Sequence, residues 1–446
     1  MNGKKPNILF IMTDQQYAGM MSCTGNSWLR TPALDRLASE GIRFEHGICS
    51  NPVCVPSRTS MATGVMSCRL GAPDNQTGMQ IELPQPVAEN SLGLLMKRAG
   101  YATFYGGKVH MCKQLAPPDA GYDVFDRDER GQLPANCIRF MENAARGNAP
   151  FFAVASFVNP HDICFAHRAK IGGGREGWGG GAAVAADIYA EAVKLPDHAL
   201  PPLPANYELP ELEPTGLSGR NNTTAVTPSG TMCKTYSDRD WRIYRWIYAR
   251  LTEMIDRKIG SILNALEELG AGDNTVVIFT SDHGNMHGNH RLASKGVFYE
   301  ESVRVPFLMK HKGAIPAGLV NQTHLVNTGL DLLPTCCDYA GIAAPAGLLG
   351  ISQRGAAEQR ADAPAHDYVV SENDGARMLR DRGWKYTVYK PDSEPRESLV
   401  NLQNDPGEMK NLAVDPAHAE TLAEYRALMK EWFRKSNDKE AATFTV

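Results

Sequence analysis

Short apolar runs alternate with helix-like stretches through the first 345 residues of the chain. The runs predict strands at Asn7–Met12, Ala102–Tyr105, Phe151–Phe157, Thr275–Thr280 and Val305–Met309. The stretches between them predict helices at Pro32–Glu40, Ser91–Ala99, Cys137–Ala145, Trp241–Leu269 and Gly329–Tyr339. Because strands that alternate with helices form parallel sheets, this order indicates an α/β protein with a large mixed, mostly parallel sheet flanked by helices.

Polar side chains with useful chemistry follow four of these predicted strands directly. They are Asp14, then Lys108 and His110, then His161, and finally Asp282 and His283. In open α/β sheets, ligands bind beyond the carboxyl ends of the strands. The sequence therefore predicts a functional site at this edge of the sheet.

Composition excludes several other classes of protein. The 446 residues are enough for about two or three average domains, or for one large domain with an appendage. The net charge of −4 is spread without long blocks of one sign, which argues against nucleic acid or an anionic membrane as the main partner. No apolar run reaches the ~18 residues of a membrane span, and the run before Asp14 is too short for a signal sequence, so a cytoplasmic location is expected.

Two regions depart from the strand–helix alternation. Glycine triplets and a proline-rich stretch predict an irregular insertion over residues 165–240, either a substrate loop or a surface insertion. After residue 349 the pattern predicts short antiparallel strands at Asp367–Ser371, Ala376–Arg380 and Trp384–Tyr389, and a helix at Ala417–Arg434. We therefore predict a catalytic α/β domain over residues 1–349 and a small α+β subdomain over residues 350–446.

One cysteine stands apart from the other nine, which the sequence predicts to be free buried thiols. Cys54 opens the string Cys54-Val55-Pro56-Ser57-Arg58, where Pro56 suits the first turn of a helix and Gly64 suits its end. The free N–H groups of a helix N-terminus attract anions. Taken alone, the residues also allow a plain thiol at the junction of a loop and a helix.

The string resembles the activation motif of the type I, formylglycine-dependent sulfatases, which belong to the alkaline phosphatase superfamily. Thr63-Gly64 fits the longer form of that motif, and softer similarity extends to Leu399–Glu408, leaving only the stretch between residues 165 and 240 unexplained. The resemblance implies an alkaline phosphatase-like fold. It also implies that a maturase enzyme oxidises Cys54 to formylglycine.

Oxygen and imidazole donors for a divalent cation are also present. The turn Thr280-Ser281-Asp282-His283-Gly284 is similar to the family's metal-binding turn. The resemblance implies Ca²⁺, and the donors themselves leave Mg²⁺ or Mn²⁺ open; the implied ligands are Asp14, Gln15, Cys54, Asp282 and His283. Gln15 is a departure, because many members carry a second aspartate there, and it also resembles the phosphonate monoester hydrolase branch.

Four further residues match family segments in order: Lys108 and His110 in Gly106-Gly107-Lys108-Val109-His110, His161 after Asn159-Pro160, and Lys295 before Gly296. Alternation predicts that Lys108 and His110 share one face of an extended strand end. The resemblance implies that Lys108, His161 and Lys295 bind the substrate. It gives catalytic roles to Cys54, Arg58, Lys108, His110, His161 and Lys295.

The resemblance implies a sulfuric ester hydrolase that acts on a small sulfated sugar or oligosaccharide. Two alternatives stay open from the sequence. One is a phosphonate or phosphate ester hydrolase on the same fold, and the other is a catalytically silent protein that binds sulfated glycans. His287, His290 and His324 match no motif and are expected at the surface or behind the site.

Overall fold

The computed structural model describes residues 5–147, 149–172, 178–216 and 235–445. Its strands are β1 (Asn7–Asp14), β2 (Ile42–Ile48), β3 (Ala102–Gly107), β4 (Val124–Asp126), β5 (Phe151–Pro160), β6 (Thr275–Ser281), β7 (Met286–His287), β8 (Ala293–Ser294), β9 (Phe307–Lys310), β10 (Leu319–Asn327), β11 (Val369–Asn373), β12 (Ala376–Arg380), β13 (Trp384–Tyr389) and β14 (Glu397–Asn401).

Eight of these strands form one sheet in the order β10-β2-β9-β6-β1-β5-β3-β4. Strand β9 pairs antiparallel with β2 and β6, and the other neighbours pair in parallel. The predicted large, mostly parallel sheet is therefore confirmed. The strand predicted at Val305–Met309 exists as β9 but runs against the rest, whereas β2, β4 and β10 were not predicted.

The α-helices are α1 (Pro32–Ser39), α2 (Cys54–Thr63), α3 (Asn75–Gly78), α4 (Gln85–Glu89), α5 (Leu92–Arg98), α6 (Leu133–Ala145), α7 (Ala166–Lys170), α8 (Gly181–Ala192), α9 (Asp238–Glu268), α10 (Glu300–Val303), α11 (Thr328–Ala340), α12 (Arg354–Ala357), α13 (Ala419–Ser436) and α14 (Ala441–Phe444). The helices predicted within the first 345 residues correspond to α1, α5, α6, α9 and α11. Among the described residues, no helix combines the length and apolar character needed to cross a membrane.

Both faces of the sheet are covered by helices, as the central strand β1 shows. Ile8, Phe10 and Met12 pack into one core with residues of α5 and α11. Leu9 and Ile11 point the other way, into a core with α1, α6 and α9. Each such side chain contributes about 1.5–3 kcal/mol when fully buried. This two-sided burial explains why β1 is an uninterrupted apolar run that ends only at Asp14.

The C-terminal part forms a second, four-stranded antiparallel sheet in the order β11-β12-β13-β14, and α13 packs against it. The predicted antiparallel strands and helix are present, together with β14, which was not predicted. This sheet bonds directly to loops of the large domain. The Asn373 side chain donates to the Gly296 carbonyl at 2.9 Å, and the Glu372 amide donates to the Ser50 carbonyl at 2.9 Å.

The prediction of an irregular segment over residues 165–240 is wrong for part of its length. Helix α8 lies there because its alanine-rich sequence has high helix propensity, which the flanking glycines concealed. The first residue of α8 packs on the turn after β5, since a Cβ atom at Gly181 would lie 2.2 Å from Asp162 Oδ1. Residues 173–177 and 217–234 of the segment lie outside the described ranges.

Candidate active site

Four neighbouring strands of the large sheet bring their following residues to one edge. In sheet order these strands are β6, β1, β5 and β3, and they lead to Asp282, Asp14, His161 and Lys108. The chain therefore gathers at one place residues that are far apart in sequence.

Asp14 is the most heavily paired carboxylate of this edge. Its Oδ2 forms an ion pair with Lys108 Nζ at 2.6 Å and accepts a hydrogen bond from Arg58 at 3.0 Å, and both partners are buried with it. Burial by itself raises the pKa of Asp14, but the positive charges of Lys108, Lys295 and Arg58 hold that pKa well below its usual range. Asp14 is therefore an anion at neutral pH.

Arg58, in the second turn of α2, donates hydrogen bonds to the carboxylates of both Asp14 and Asp282. Its Nε donates to Asp282 Oδ2 at 2.7 Å and its Nη2 to Asp14 Oδ2 at 3.0 Å. The remaining Nη1 donates to the Lys108 carbonyl and to Ser156 Oγ, both at 2.9 Å. Only a planar guanidinium offers donors in so many directions, so this position is specific for arginine.

Cys54 is the first residue of α2 and is 1% exposed. The helix ends at Thr63, and the following Gly64 has a φ of 69°. The predicted helix start and end are thus confirmed. The Cys54 sulfur lies 3.0 Å from Lys295 Nζ, 3.2 Å from His283 Nε2 and 3.8 Å from Asp14 Oδ1.

The pKa of the Cys54 thiol reflects two opposed influences. Burial and the charge of Asp14 raise it, but the positive charges of Lys295 and Lys108 bring it well below its usual value. Cys54 in turn shifts the pKa of Lys295. Burial lowers the pKa of that lysine, whereas the charges of Cys54 and Asp14 raise it above its ordinary value. Side chain 54 therefore lies in a positively charged environment that stabilises an anion.

The hydrogen bonds of His283 decide which of its nitrogens can bind a metal. Nδ1 lies 2.9 Å from the Gly284 carbonyl oxygen, which can only accept, so Nδ1 carries the proton. Nε2 then presents a lone pair to Cys54 and lies 3.6 Å from Asp282 Oδ1. An Nδ1–H bond to a carbonyl is the usual support of a histidine that binds metal through Nε2.

The donor atoms of Asp14, Cys54, Asp282 and His283 all lie within 4.8 Å of one another, and all four residues are buried. Two carboxylates and an imidazole with its lone pair directed inward suit a hard divalent cation. An oxygen in place of the Cys54 sulfur would suit such a cation better than a thiol does. The residues thus fit a divalent metal ion.

Gln15 lies beside this cluster with a different set of contacts. It is fully buried, has a φ of 71°, and its amide oxygen accepts from Lys295 Nζ at 2.8 Å. Its backbone is fixed by a bond from its N–H to Asp282 Oδ1 at 3.0 Å and by a bond from Tyr248 to its carbonyl at 2.6 Å. Its role as a metal ligand stays a prediction.

His110 and His161 both lie near this edge. Strand β3 ends at Gly107 and His110 has a φ of 46°, so the prediction that Lys108 and His110 share one face of an extended strand is wrong. The chain leaves the extended conformation at Gly107, whose φ is 87°, and the Lys108 carbonyl then accepts from Ser156 and Arg58. Burial and the charge of Lys108 hold the pKa of His161 well below its usual value, so its ring is neutral at neutral pH.

Several residues that support the site belong to no recognised sequence motif. Ser156 accepts a hydrogen bond from Arg58, and the Tyr248 hydroxyl donates to the Gln15 carbonyl. Asn285 accepts from the Gln15 side chain at 2.7 Å. His287 and His290, expected at the surface or behind the site, are buried, with ring stacking between His290 and Tyr299. No local pattern marks these residues, because their partners are distant in sequence.

The sheet order and the site define an alkaline phosphatase-like α/β fold. A family model for sulfatases matches residues 6–342, and a model described as the N-sulphoglucosamine sulphohydrolase C-terminal region matches residues 288–435. The chain belongs to the sulfatase family.

Individual relatives agree with this assignment. A Delta 4,5-hexuronate-2-O-sulfatase of Bacteroides thetaiotaomicron is 30% identical, covering 98% of this chain and 90% of that protein. An N-acetylglucosamine-6-O-sulfatase of the same organism is 26% identical, covering 98% and 88%. Among solved structures, a 2-O GAG sulfatase has a TM-score of 0.82 at 28% identity, covering 98% and 94%. A phosphonate monoester hydrolase of Agrobacterium radiobacter, at 20% identity over 97% and 96% with a TM-score of 0.73, shares the fold.

Proposed function

We propose that this sulfatase removes sulfate from a sulfated carbohydrate, using formylglycine made from Cys54 together with a divalent cation. The observation that carries the proposal is the position of side chain 54. It lies in one buried cluster with Asp14, Asp282 and His283, and Lys295 contacts it at 3.0 Å.

The residues of the chain have two roles in the reaction: some stabilise the negative charge of the sulfuryl group, and others protonate the leaving oxygen. A sulfate ester resists attack because its oxygens repel nucleophiles and its leaving alkoxide is poor. Lys108 and Lys295 provide positive charge for the sulfuryl oxygens, while Arg58 holds Asp14 and Asp282 in place. Lys295, which is protonated at neutral pH, gives the departing oxygen its proton, and the neutral His161 ring donates a hydrogen bond to that oxygen.

Two further groups complete the chemistry when present. Asp14, Asp282, His283 and residue 54, with Gln15 nearby, would hold a divalent cation, which would polarise the sulfuryl group. The hydrated aldehyde of a formylglycine at position 54 would supply a hydroxyl nucleophile, which a thiol does not. Ca²⁺ is the cation that the resemblance to the family favours, and the oxygen donors are consistent with it.

The substrate class follows from the relatives. The relative at 30% identity is named a Delta 4,5-hexuronate-2-O-sulfatase, and another is named an N-acetylglucosamine-6-O-sulfatase. We therefore propose a sulfated hexuronate as the first substrate to test, and a sulfated hexosamine as the second. Helix α8, whose first residue packs on the turn that follows His161, supports a role for part of the 165–240 segment in contacting the substrate.

The proposal is tested by producing the protein together with a maturase and measuring two things. Peptide mass spectrometry should show the Cys54 thiol converted to an aldehyde. Sulfate release should then give the highest kcat/KM on a sulfated sugar, compared with aryl sulfate, choline sulfate and an aryl phosphonate. A higher kcat/KM on the phosphonate would favour the phosphonate hydrolase alternative. An unmodified Cys54 without turnover, but with binding of sulfated glycans, would favour the silent binding protein.

Removing divalent cations should lower turnover without unfolding the protein. Loss of a cation's charge stabilisation, several kcal/mol, corresponds to about 10²-fold or more in kcat. The fold should persist because Arg58 and Lys108 pair with the carboxylates directly. The measurement is sulfate release after treatment with a chelator, followed by addition of Ca²⁺, Mg²⁺ or Mn²⁺ and a circular dichroism spectrum at each step. Full activity in excess chelator would contradict a metal-dependent reaction.

A further inference from the structure

The Asn285 side chain is buried behind the catalytic pocket, two residues beyond His283. Its backbone is fixed, because its N–H donates to the Glu301 carbonyl at 2.7 Å. Its side-chain oxygen accepts from Gln15 Nε2 at 2.7 Å. Asn285 therefore contacts the pocket only through Gln15 among its side-chain hydrogen bonds in the described ranges.

The direction of these bonds follows from Lys295. A lysine ammonium has donors and no acceptor, so the Gln15 atom that lies 2.8 Å from Lys295 must be the amide oxygen. The NH₂ group of Gln15 must then face Asn285, and the Asn285 atom that receives it must be an oxygen. Lys295, Gln15 and Asn285 thus form a chain in which each donates to the next.

Among the described residues, Lys295 and Asn285 are the two side-chain partners that distinguish the oxygen of the Gln15 amide from its NH₂ group. The Cys164 sulfur lies 3.4 Å from both Gln15 Oε1 and Gln15 Nε2, so it does not favour one orientation over the other. The terminal torsion of a glutamine is broad and roughly two-fold. Without the Asn285 oxygen, the amide could turn and place its NH₂ group against the Lys295 ammonium.

We propose that Asn285 is a positioning residue that holds the Gln15 amide oxygen toward Lys295 and the cation position. Lys295 donates to that oxygen at 2.8 Å and contacts the Cys54 sulfur at 3.0 Å, so the orientation of Gln15 also fixes the ammonium beside residue 54. This inference rests on the proposed function, because it assigns a task to a residue that supports that same site.

The test compares Asn285→Ala, Asn285→Asp, Gln15→Ala and the double variant Gln15→Ala/Asn285→Ala, each produced with the maturase. We expect Asn285→Ala to lower kcat about 10- to 100-fold, with a smaller change in KM, and to weaken Ca²⁺ binding measured by calorimetry. Asn285→Asp should recover much of the loss, because a carboxylate oxygen accepts the same bond from Gln15. The double variant should be no worse than Gln15→Ala, because the two residues act through one bond.

Asn289 provides a matched control in the same loop. It is also a buried asparagine, but its NH₂ group donates to Asn206 Oδ1 and Glu301 Oε1, both at 2.7 Å. Asn289→Ala should lower thermal stability and combine additively with Gln15→Ala. The inference is overturned if Asn285→Ala behaves like Asn289→Ala, or if its losses add fully to those of Gln15→Ala. A wild-type protein without turnover would refute the proposed function, whereas Ca²⁺ titration of the Asn285 and Gln15 variants would still decide this inference.

Discussion

Replacing Cys54 by alanine is expected to lower kcat for sulfate release by on the order of 10⁴-fold or more, because alanine has no thiol and its methyl group cannot be converted to the formylglycine aldehyde. The fold should survive, since the change removes one sulfur from the first turn of α2 and leaves the bonds of Arg58 and Lys295 to other partners intact. Ion chromatography of released sulfate measures the turnover, and circular dichroism measures the fold.

Cys49 is the matched control for this variant. Its thiol is as buried as that of Cys54, at the end of β2, and burial raises its pKa to a value unsuited to an anion. Cys49→Ala should therefore keep turnover within a few-fold of the wild-type value. Activity of the Cys54→Ala protein within tenfold of wild type would show that side chain 54 is not the nucleophile.

Replacing Arg58 by methionine should have the largest effect on stability. Methionine fills similar space but leaves the carboxylates of Asp14 and Asp282 without their shared partner. Removing one partner of a buried ionic network costs about 3–5 kcal/mol in the free energy of unfolding. Turnover should be lost as well, because the same two carboxylates belong to the metal-binding cluster. Unfolding in urea, followed by tryptophan fluorescence, gives the loss of stability.

Two companion variants make the Arg58 result specific. Arg58→Lys keeps the charge, but one ammonium cannot reach the four acceptors of the guanidinium, so an intermediate loss is expected. Arg360→Met removes an exposed arginine that pairs with Glu358, and should cost no more than about 1 kcal/mol. An Arg58→Met protein as stable as the Arg360→Met protein would contradict the structural role given to Arg58.

The sheet could be predicted from the sequence wherever a strand is buried on both faces. Strands β1, β5 and β6 are continuous apolar runs for that reason, and each ends where a polar residue of the site begins. Strands β2 and β10 were missed because β10 lies at the sheet edge and both mix polar and apolar residues without strict alternation. The direction of β9 is set by its neighbours in space, which its own sequence does not reveal.

Some residues of the candidate site could likewise be located from the sequence, whereas the contacts between them could not. The residues that follow buried strands could be placed at one edge of the sheet by the rule for parallel sheets alone. The contact between Lys295 and Cys54 could not, because 241 positions separate them in the chain. The shared arginine between Asp14 and Asp282, and the support of Gln15 by Asn285, are likewise properties of the folded arrangement rather than of any local pattern.

The hydrogen bond from Asn373 to the Gly296 carbonyl links the second sheet to the loop that carries Lys295. During synthesis on the ribosome, this hydrogen bond cannot form until Asn373 has emerged, whereas Cys54, Asp14 and Asp282 are already present. Proteolytic fragments that end near residue 349 would retain Cys54, Asp14 and Asp282 but would lack this support. The loop of Lys295 therefore gains this contact only after the residues of the large sheet have been synthesised.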